Sequence, residues 1–89
     1  MAKRGRLEIM YDMLNLVKNS NNGIKPTPLL RKSNLSSSRF KEYYTEILGK
    51  GFVDEIKNSG EKRIRISEKG ILFLEKYKVI LGFVEEFGL

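Results

Sequence analysis

The stretch that decides the fold is Leu35-Ser36-Ser37-Ser38-Arg39-Phe40-Lys41-Glu42-Tyr43-Tyr44-Thr45-Glu46-Ile47-Leu48-Gly49-Lys50-Gly51. Within it, apolar side chains recur at helical spacing and predict a helix with one face toward a core; they are Phe40, Tyr44, Ile47 and Leu48. Ser36 is the predicted N-cap, because its hydroxyl can accept a hydrogen bond from an unpaired amide of the first turn. Gly49 and Gly51 predict the end of the helix, because glycine adopts the left-handed conformation at least cost.

The opposite face of this helix carries short and basic side chains, which is typical of a DNA recognition helix. We expect four of them to enter the major groove, namely Ser37, Ser38, Lys41 and Thr45. Arg39 is expected to reach a phosphate or a guanine edge, and Glu42 either repels phosphate or accepts from a cytosine amine. The alternative is an ordinary solvated helix face in a small bundle.

Two helices are predicted before this stretch. The first covers Arg6 to Asn19, with a core stripe formed by Leu7, Met10, Leu14 and Val17. Ile24-Lys25 is expected to be extended and long enough for one strand-like pairing. Thr27 is the predicted N-cap of the second helix, with Pro28 in its first position and Asn34 as the left-handed residue that ends it. Helix, tight turn and capped helix then make a helix-turn-helix.

A basic β-hairpin is predicted after Gly51. Alternating residues from Phe52 to Ile56 and again at Ile64 and Ile66 flank a turn-rich loop over residues 57–62. We expect Ile64 and Ile66 to face the core, so the wing bases on the other face or at the tip are Lys62, Arg63 and Arg65. These could be a plain solvated strand face, but three bases beside a glycine turn favour contact with a minor groove or its phosphates. Further bases expected to hold the flanking backbone are Arg31, Lys32, Lys25, Lys3, Arg4 and Arg6.

The last predicted helix begins after Ser67 and carries an apolar seam of coiled-coil type. The seam and its flanking residues, which we expect to form a homodimer interface, are Phe73, Leu74, Tyr77, Ile80, Leu81, Val84 and Phe87. The winged domain could cover about the first two turns, and an apolar remainder is rarely left exposed on a monomer. Folding back as core of one chain, or binding a different protein, are the alternatives. A membrane-surface helix is disfavoured, because the polar face lacks a row of bases.

Composition favours an anionic partner and disfavours catalysis. The net charge is +6 and the pI about 9.7, and the chain contains no cysteine and no histidine. Residues 1–32 carry seven bases and two acids, residues 33–66 seven and five, and residues 67–89 three and four. Zinc fingers and thiol or histidine catalysis are therefore excluded. We expect no catalytic residues, no metal or cofactor, no small-molecule substrate, no signal peptide and no membrane span.

Several segments of the chain also resemble a known family. They are Arg6-Leu7-Glu8-Ile9, Asn34-Leu35-Ser36, Tyr43-Tyr44, Leu48-Gly49-Lys50-Gly51-Phe52-Val53 and Ile66-Ser67-Glu68-Lys69-Gly70. The whole chain is similar to the archaeal ten-kilodalton winged-helix DNA-binding proteins of the Sulfolobus 10a type. The resemblance implies a small, abundant chromatin protein that dimerises through an antiparallel coiled coil of C-terminal helices. The last helix departs from the family, because it is shorter and more apolar.

These observations predict a mainly α fold with a small β-hairpin, a winged helix-turn-helix followed by a long coiled-coil-type dimerisation helix. We expect one structural domain, with the DNA-binding part in residues 1–66 and the dimerisation helix in residues 67–89. The predicted function is a homodimeric architectural protein of chromatin or the nucleoid, cytoplasmic and chromosome-associated, that binds double-stranded DNA with low sequence specificity. A sequence-specific winged-helix repressor is the main alternative, and a winged helix that binds only protein is a third.

Overall fold

The computed structural model describes residues 4–89, and within them four helices and one antiparallel hairpin follow each other in the predicted order. The elements are α1 (Arg6–Lys18), α2 (Pro26–Ser33), α3 (Ser37–Gly49), β1 (Val53–Asn58), β2 (Glu61–Ile66) and α4 (Glu68–Glu86). This arrangement confirms the predicted fold class, a winged helix-turn-helix with a long C-terminal helix. Lys3, predicted as a phosphate contact, lies outside the described residues.

One apolar cluster holds these elements together, and α1 contributes the largest share. Its buried side chains are Ile9, Met10, Met13, Leu14 and Val17, and every one is at most 1 % exposed. The other elements add Leu29, Ile47, Val53, Ile64 and Leu74. The predicted place of Leu7 in the core stripe is wrong, because this residue lies in the first turn of α1 and is 45 % exposed.

The helix-turn-helix begins earlier than predicted. Lys25 is the N-cap of α2 and Pro26 its first residue, whereas the sequence suggests a start at Thr27 and Pro28. Both prolines suit a first turn, where the missing N–H is not needed, and in the structure α2 begins at the earlier one. At the other end, Asn34 has φ 59° and ψ 37°, which confirms it as the left-handed residue.

Serine side chains begin both of the following helices. The Ser36 hydroxyl accepts from the Arg39 amide at 3.3 Å, and the Ser67 hydroxyl accepts from the Gly70 amide at 3.0 Å. These bonds satisfy amides that have no partner within the helix. Gly51 has φ +76° and turns the chain from α3 into β1, as the sequence predicts.

The hairpin has a tighter turn than the predicted loop. Pairing extends to Asn58 and Glu61, and only Ser59 and Gly60 lie between the strands. Both have positive φ, 54° and 82°, which matches the right-handed twist of a two-residue hairpin. Ile24 pairs with Ile64 on the free edge of β2 through bonds of 2.9 and 2.8 Å, which confirms the predicted single pairing.

The first half of α4 packs on its own chain. Leu74 is 2 % exposed, the Phe73 ring centroid is 5.1 Å from that of Phe52, and Tyr77 is 4.9 Å from Tyr11. The sequence assigns these three α4 residues to a dimer interface, and the assignment of Leu74 is wrong because it belongs to the intrachain core. Phe73 and Tyr77 are half-buried. From residue 78 onward every described residue of α4 is exposed, so the domain covers closer to three turns than two.

Gly70 lets α4 lie directly against the backbone at Phe52. A Cβ at this position would lie 2.2 Å from the Phe52 carbonyl oxygen, a backbone atom that cannot move alone. We therefore expect Gly70→Ala to lower the free energy of unfolding by about 1–3 kcal/mol, in the range of overpacked cores. Urea unfolding followed by circular dichroism would measure the change.

Gly82 provides the matched control in the same helix. A Cβ there meets nothing within 4 Å. Gly82→Ala should leave stability unchanged or raise it by up to about 1 kcal/mol, because alanine favours helix more than glycine. Equal effects of the two substitutions would contradict the close approach at Gly70.

Candidate nucleic-acid interface

Helix α3 presents the predicted recognition face to solvent. The side chains of Ser37, Ser38, Arg39, Lys41, Glu42 and Thr45 are all exposed, while Phe40, Tyr44 and Leu48 are partly buried and Ile47 is fully buried on the opposite side. Residues 37, 41 and 45 follow each other at successive turns, so they form one row along the helix. The structure therefore brings the six predicted α3 residues together on one exposed surface.

Two of these side chains are already engaged within the helix. The Thr45 hydroxyl donates to the Lys41 carbonyl at 2.7 Å, so its proton is not available to a ligand. The Arg39 guanidinium lies 5.8 Å from the centroid of the Tyr43 ring, within cation–π range. Thr45 thus presents a methyl group and acceptor lone pairs, and Arg39 is held along the side of α3.

The predicted wing bases lie on two faces of the hairpin. Lys62 shares a face with Ile64 and with Glu55, which contacts α3, whereas Arg63 and Arg65 are on the opposite face. That outer face borders an open groove of about 430 Å³, lined by Asn21, Asn22, Ile56, Asn58, Arg63 and Arg65. Asn21 and Asn22 belong to the α1–α2 loop and are not among the site residues predicted from the sequence. The predicted strand-like pairing at Ile24 could have indicated their position, since it brings that loop beside β2.

Several bases predicted to touch DNA are paired with acids in the free protein. The pairs are Lys25–Glu61 at 3.0 Å, Lys62–Glu55 at 3.4 Å, Arg63–Glu61 at 3.7 Å and Arg6–Glu46. The bond from Arg6 lowers the pKa of Glu46, and the bond from Lys25 lowers the pKa of Glu61. Both carboxyl groups are therefore charged at neutral pH. Among residues 4–89, Arg31, Lys32, Lys41 and Arg65 take part in no ion pair, so their charges are available to a ligand.

Arg4 is integrated into the fold instead of extending as an arm. Its Nη1 lies 3.0 Å from Asp12 Oδ2, and its Nη2 donates to the Ser33 carbonyl at 2.9 Å. That carbonyl is at the C-terminal end of α2, where helical carbonyls lack intrahelical partners and a cation is favoured. Arg4 therefore connects the chain before α1 to the turn of the helix-turn-helix, a role that the sequence does not reveal.

We expect Arg4→Ala to lower the free energy of unfolding and to change the salt dependence of ligand binding little. The decrease should be about 1–2 kcal/mol, discounted because the Arg4 side chain is 29 % exposed. Urea unfolding would measure it. Arg31→Ala is the control, since it removes the same charge without removing an ion pair within residues 4–89. A larger decrease in stability for Arg31→Ala would contradict the structural role of Arg4.

Two other features are absent from the described part of the chain. Residues 4–89 contain no group of three acidic side chains placed to hold a metal ion. No helix in the same range is both long and apolar enough to span a bilayer.

Comparison with known proteins agrees with the fold. The model of a winged helix-turn-helix family matches residues 3–83. The crystal structure of SSV1 F-93 is 28 % identical with a TM-score of 0.60, and the match covers 86 % of this chain and 91 % of that one. Sso10a-2, a DNA-binding protein from Sulfolobus solfataricus, is 20 % identical with a TM-score of 0.75, covering 94 % and 85 %. No curated protein sequence matches significantly.

The family match spans nearly the whole chain, from the residues before α1 to the exposed half of α4. The likeness to Sso10a-2 confirms at the level of the fold the resemblance to the Sulfolobus 10a type that the sequence suggests. The chain belongs to the winged helix-turn-helix family.

Proposed function

We propose that the protein binds double-stranded DNA as a homodimer, with α3 in the major groove and the hairpin along the adjacent backbone. The observation that carries the proposal is the exposed row of short and basic side chains on α3, placed directly after a helix-turn-helix turn. The net charge of +6 supports it, as does similarity to a protein described as DNA-binding. The proposed activity is binding, without a catalytic step, and its place is on the chromosome in the cytoplasm.

Phosphate contacts would supply most of the affinity. Lys41 on α3 and Arg31 and Lys32 at the end of α2 are exposed, and cations near duplex phosphates release condensed counterions. Lys25, Lys62 and Arg63 would have to exchange a glutamate for a phosphate, so each should contribute less than an unpaired base. We therefore expect binding that weakens steeply with salt, though less steeply than the number of bases alone suggests.

Low sequence specificity follows from the side chains on the α3 face. Ser37, Ser38 and Thr45 are short and reach few base atoms, and strong discrimination usually comes from bidentate arginine, asparagine or glutamine contacts. This supports an architectural role over that of a repressor. Glu42 and Arg39 are the exposed α3 side chains that favour the second candidate, a sequence-specific regulator, because a carboxylate can accept from a cytosine amine and a guanidinium can donate to a guanine edge.

The exposed half of α4 supports the homodimer. Large apolar side chains are uncovered there: Val79 at 72 %, Ile80 at 52 %, Phe83 at 56 %, Val84 at 36 % and Phe87 at 59 %. A second copy of the same helix would bury this surface in a two-fold arrangement.

Fluorescence anisotropy of a labelled mixed-sequence duplex, repeated from low to high salt, tests the proposal. Tight binding whose log affinity falls linearly with log salt concentration, and which differs little between duplexes, would support the architectural protein. A strongly preferred sequence would favour the regulator. Absence of binding even at low salt would overturn DNA binding and leave a protein partner as the function of this surface.

A further inference from the structure

One carboxylate connects α3 to both strands of the wing. Glu55 lies on β1, and its Oε2 accepts a hydrogen bond from the Tyr44 hydroxyl of α3. The same oxygen lies 3.4 Å from Nζ of Lys62 on β2. Glu55 is directly opposite Ile64 in the ladder, so Lys62 is its diagonal neighbour on the same face. The oxygen therefore joins three elements at one point.

The protonation states keep this contact in place at neutral pH. The hydrogen bond from Tyr44 lowers the pKa of Glu55, so the carboxyl group is ionised. Burial, followed by the bond to Glu55, raises the pKa of Tyr44, so the hydroxyl keeps its proton and donates it. The Tyr44 ring is also stacked on Phe40, with ring centroids 5.7 Å apart, which limits its movement.

We propose that Glu55 and Tyr44 are positioning residues that fix the wing relative to α3, so that both can engage one duplex together. The inference rests on the proposed DNA binding and adds to it a pair of residues that do not themselves touch DNA. A two-stranded hairpin has little stability of its own, so its orientation depends on such contacts with the domain. Val53 and Ile64 hold the base of the hairpin in the core, so without the Tyr44 hydroxyl we expect its outer part to move more freely relative to α3 and to engage fewer phosphates.

Tyr44→Phe tests this because it removes one hydroxyl and no charge. We expect duplex affinity to fall several-fold. The slope of log affinity against log salt concentration should become shallower by about one unit for every phosphate that the wing no longer neutralises. A decrease in stability alone would not change the slope of affinity against salt. The measurement is the anisotropy titration at several salt concentrations, below the unfolding temperature of every variant.

The chain offers two matched controls. Tyr43→Phe removes the neighbouring hydroxyl, which makes no side-chain hydrogen bond within residues 4–89, and it should leave affinity and slope unchanged. Glu55→Gln and Glu55→Ala remove the same charge, but only glutamine retains an oxygen that can accept from Tyr44. We expect Glu55→Ala to bind more weakly than Glu55→Gln and with a shallower slope.

Amide hydrogen exchange separates this inference from the proposed function. The ladder-bonded amides of Asp54, Ile56, Arg63 and Arg65 should exchange faster in Tyr44→Phe than in Tyr43→Phe, whether or not DNA is present. If the wild type binds no duplex, the proposed function fails, and faster exchange would still show that Tyr44 positions the wing. Equal exchange in the two variants, or an equal salt slope in a protein that binds DNA, would overturn the positioning role.

Discussion

Aspartate at Ile80 and Val84 is expected to convert the proposed dimer to a monomer. Both side chains are exposed on a single chain, at 52 % and 36 %, so the substitutions leave the intrachain core intact. In a two-fold dimer each substitution occurs twice. Removing the burial of one such side chain costs about 1.5–3 kcal/mol, and a buried aspartate adds a desolvation cost. We therefore expect the dissociation constant of the dimer to rise by at least about a thousandfold.

Sedimentation equilibrium of the variant would measure this change. The matched control is Lys78→Asp with Glu85→Asp, which introduces two aspartates on the polar side of the same helix. Both double variants lower the net charge by two, so a difference between them reports the apolar face alone. If the Ile80 and Val84 variant remained a dimer, the proposed interface on α4 would be wrong.

Removing the two arginines of the outer wing face is expected to have the second largest effect. Arg63→Ala with Arg65→Ala should weaken binding to all duplexes alike and make the salt slope shallower by about two units, one for each arginine that neutralises a phosphate. Arg65 is in no ion pair within residues 4–89, so its removal should account for the larger part of the decrease in duplex affinity. Competition between labelled and unlabelled duplexes of different sequence would show whether the weakening is uniform.

The control for this experiment is Lys76→Ala with Lys78→Ala, which removes two bases from α4. A slope unchanged in the arginine variant would show that the outer face of the hairpin does not contact DNA. In that case Lys62→Ala, on the face toward α3, should produce the shallower slope instead. The two faces of the wing can thus be assigned separately.

Local signals in the sequence are sufficient for the order of the elements and for most of their ends. Ser36 and Asn34 act through their own backbone neighbourhoods, so the residue type alone predicts the cap and the left-handed turn. The start of α2 is ambiguous in the sequence because Pro26 and Pro28 both suit a first turn. The predicted hairpin turn is too long because Lys57 and Lys62 are polar yet still pair across the ladder.

Contacts between distant residues account for what the sequence could not predict. Arg4 resembles one more base of a flexible arm, and its bond to Ser33 exists only because the start of α1 packs beside the end of α2. The proposed role of Glu55 likewise depends on the approach of β1 to α3. Leu74 matches the apolar seam by spacing, but spacing does not show which part of a helix its own domain covers.

The short side chains on α3 also have a consequence for movement along DNA. For a chain bound as we propose, Ser37, Ser38 and the internally bonded hydroxyl of Thr45 would make few contacts that differ between base pairs. The binding energy would then vary little from one register to the next, while phosphate contacts repeat at every step of the duplex. Such a flat energy profile permits one-dimensional diffusion with low barriers, so the protein would redistribute along a chromosome without dissociating.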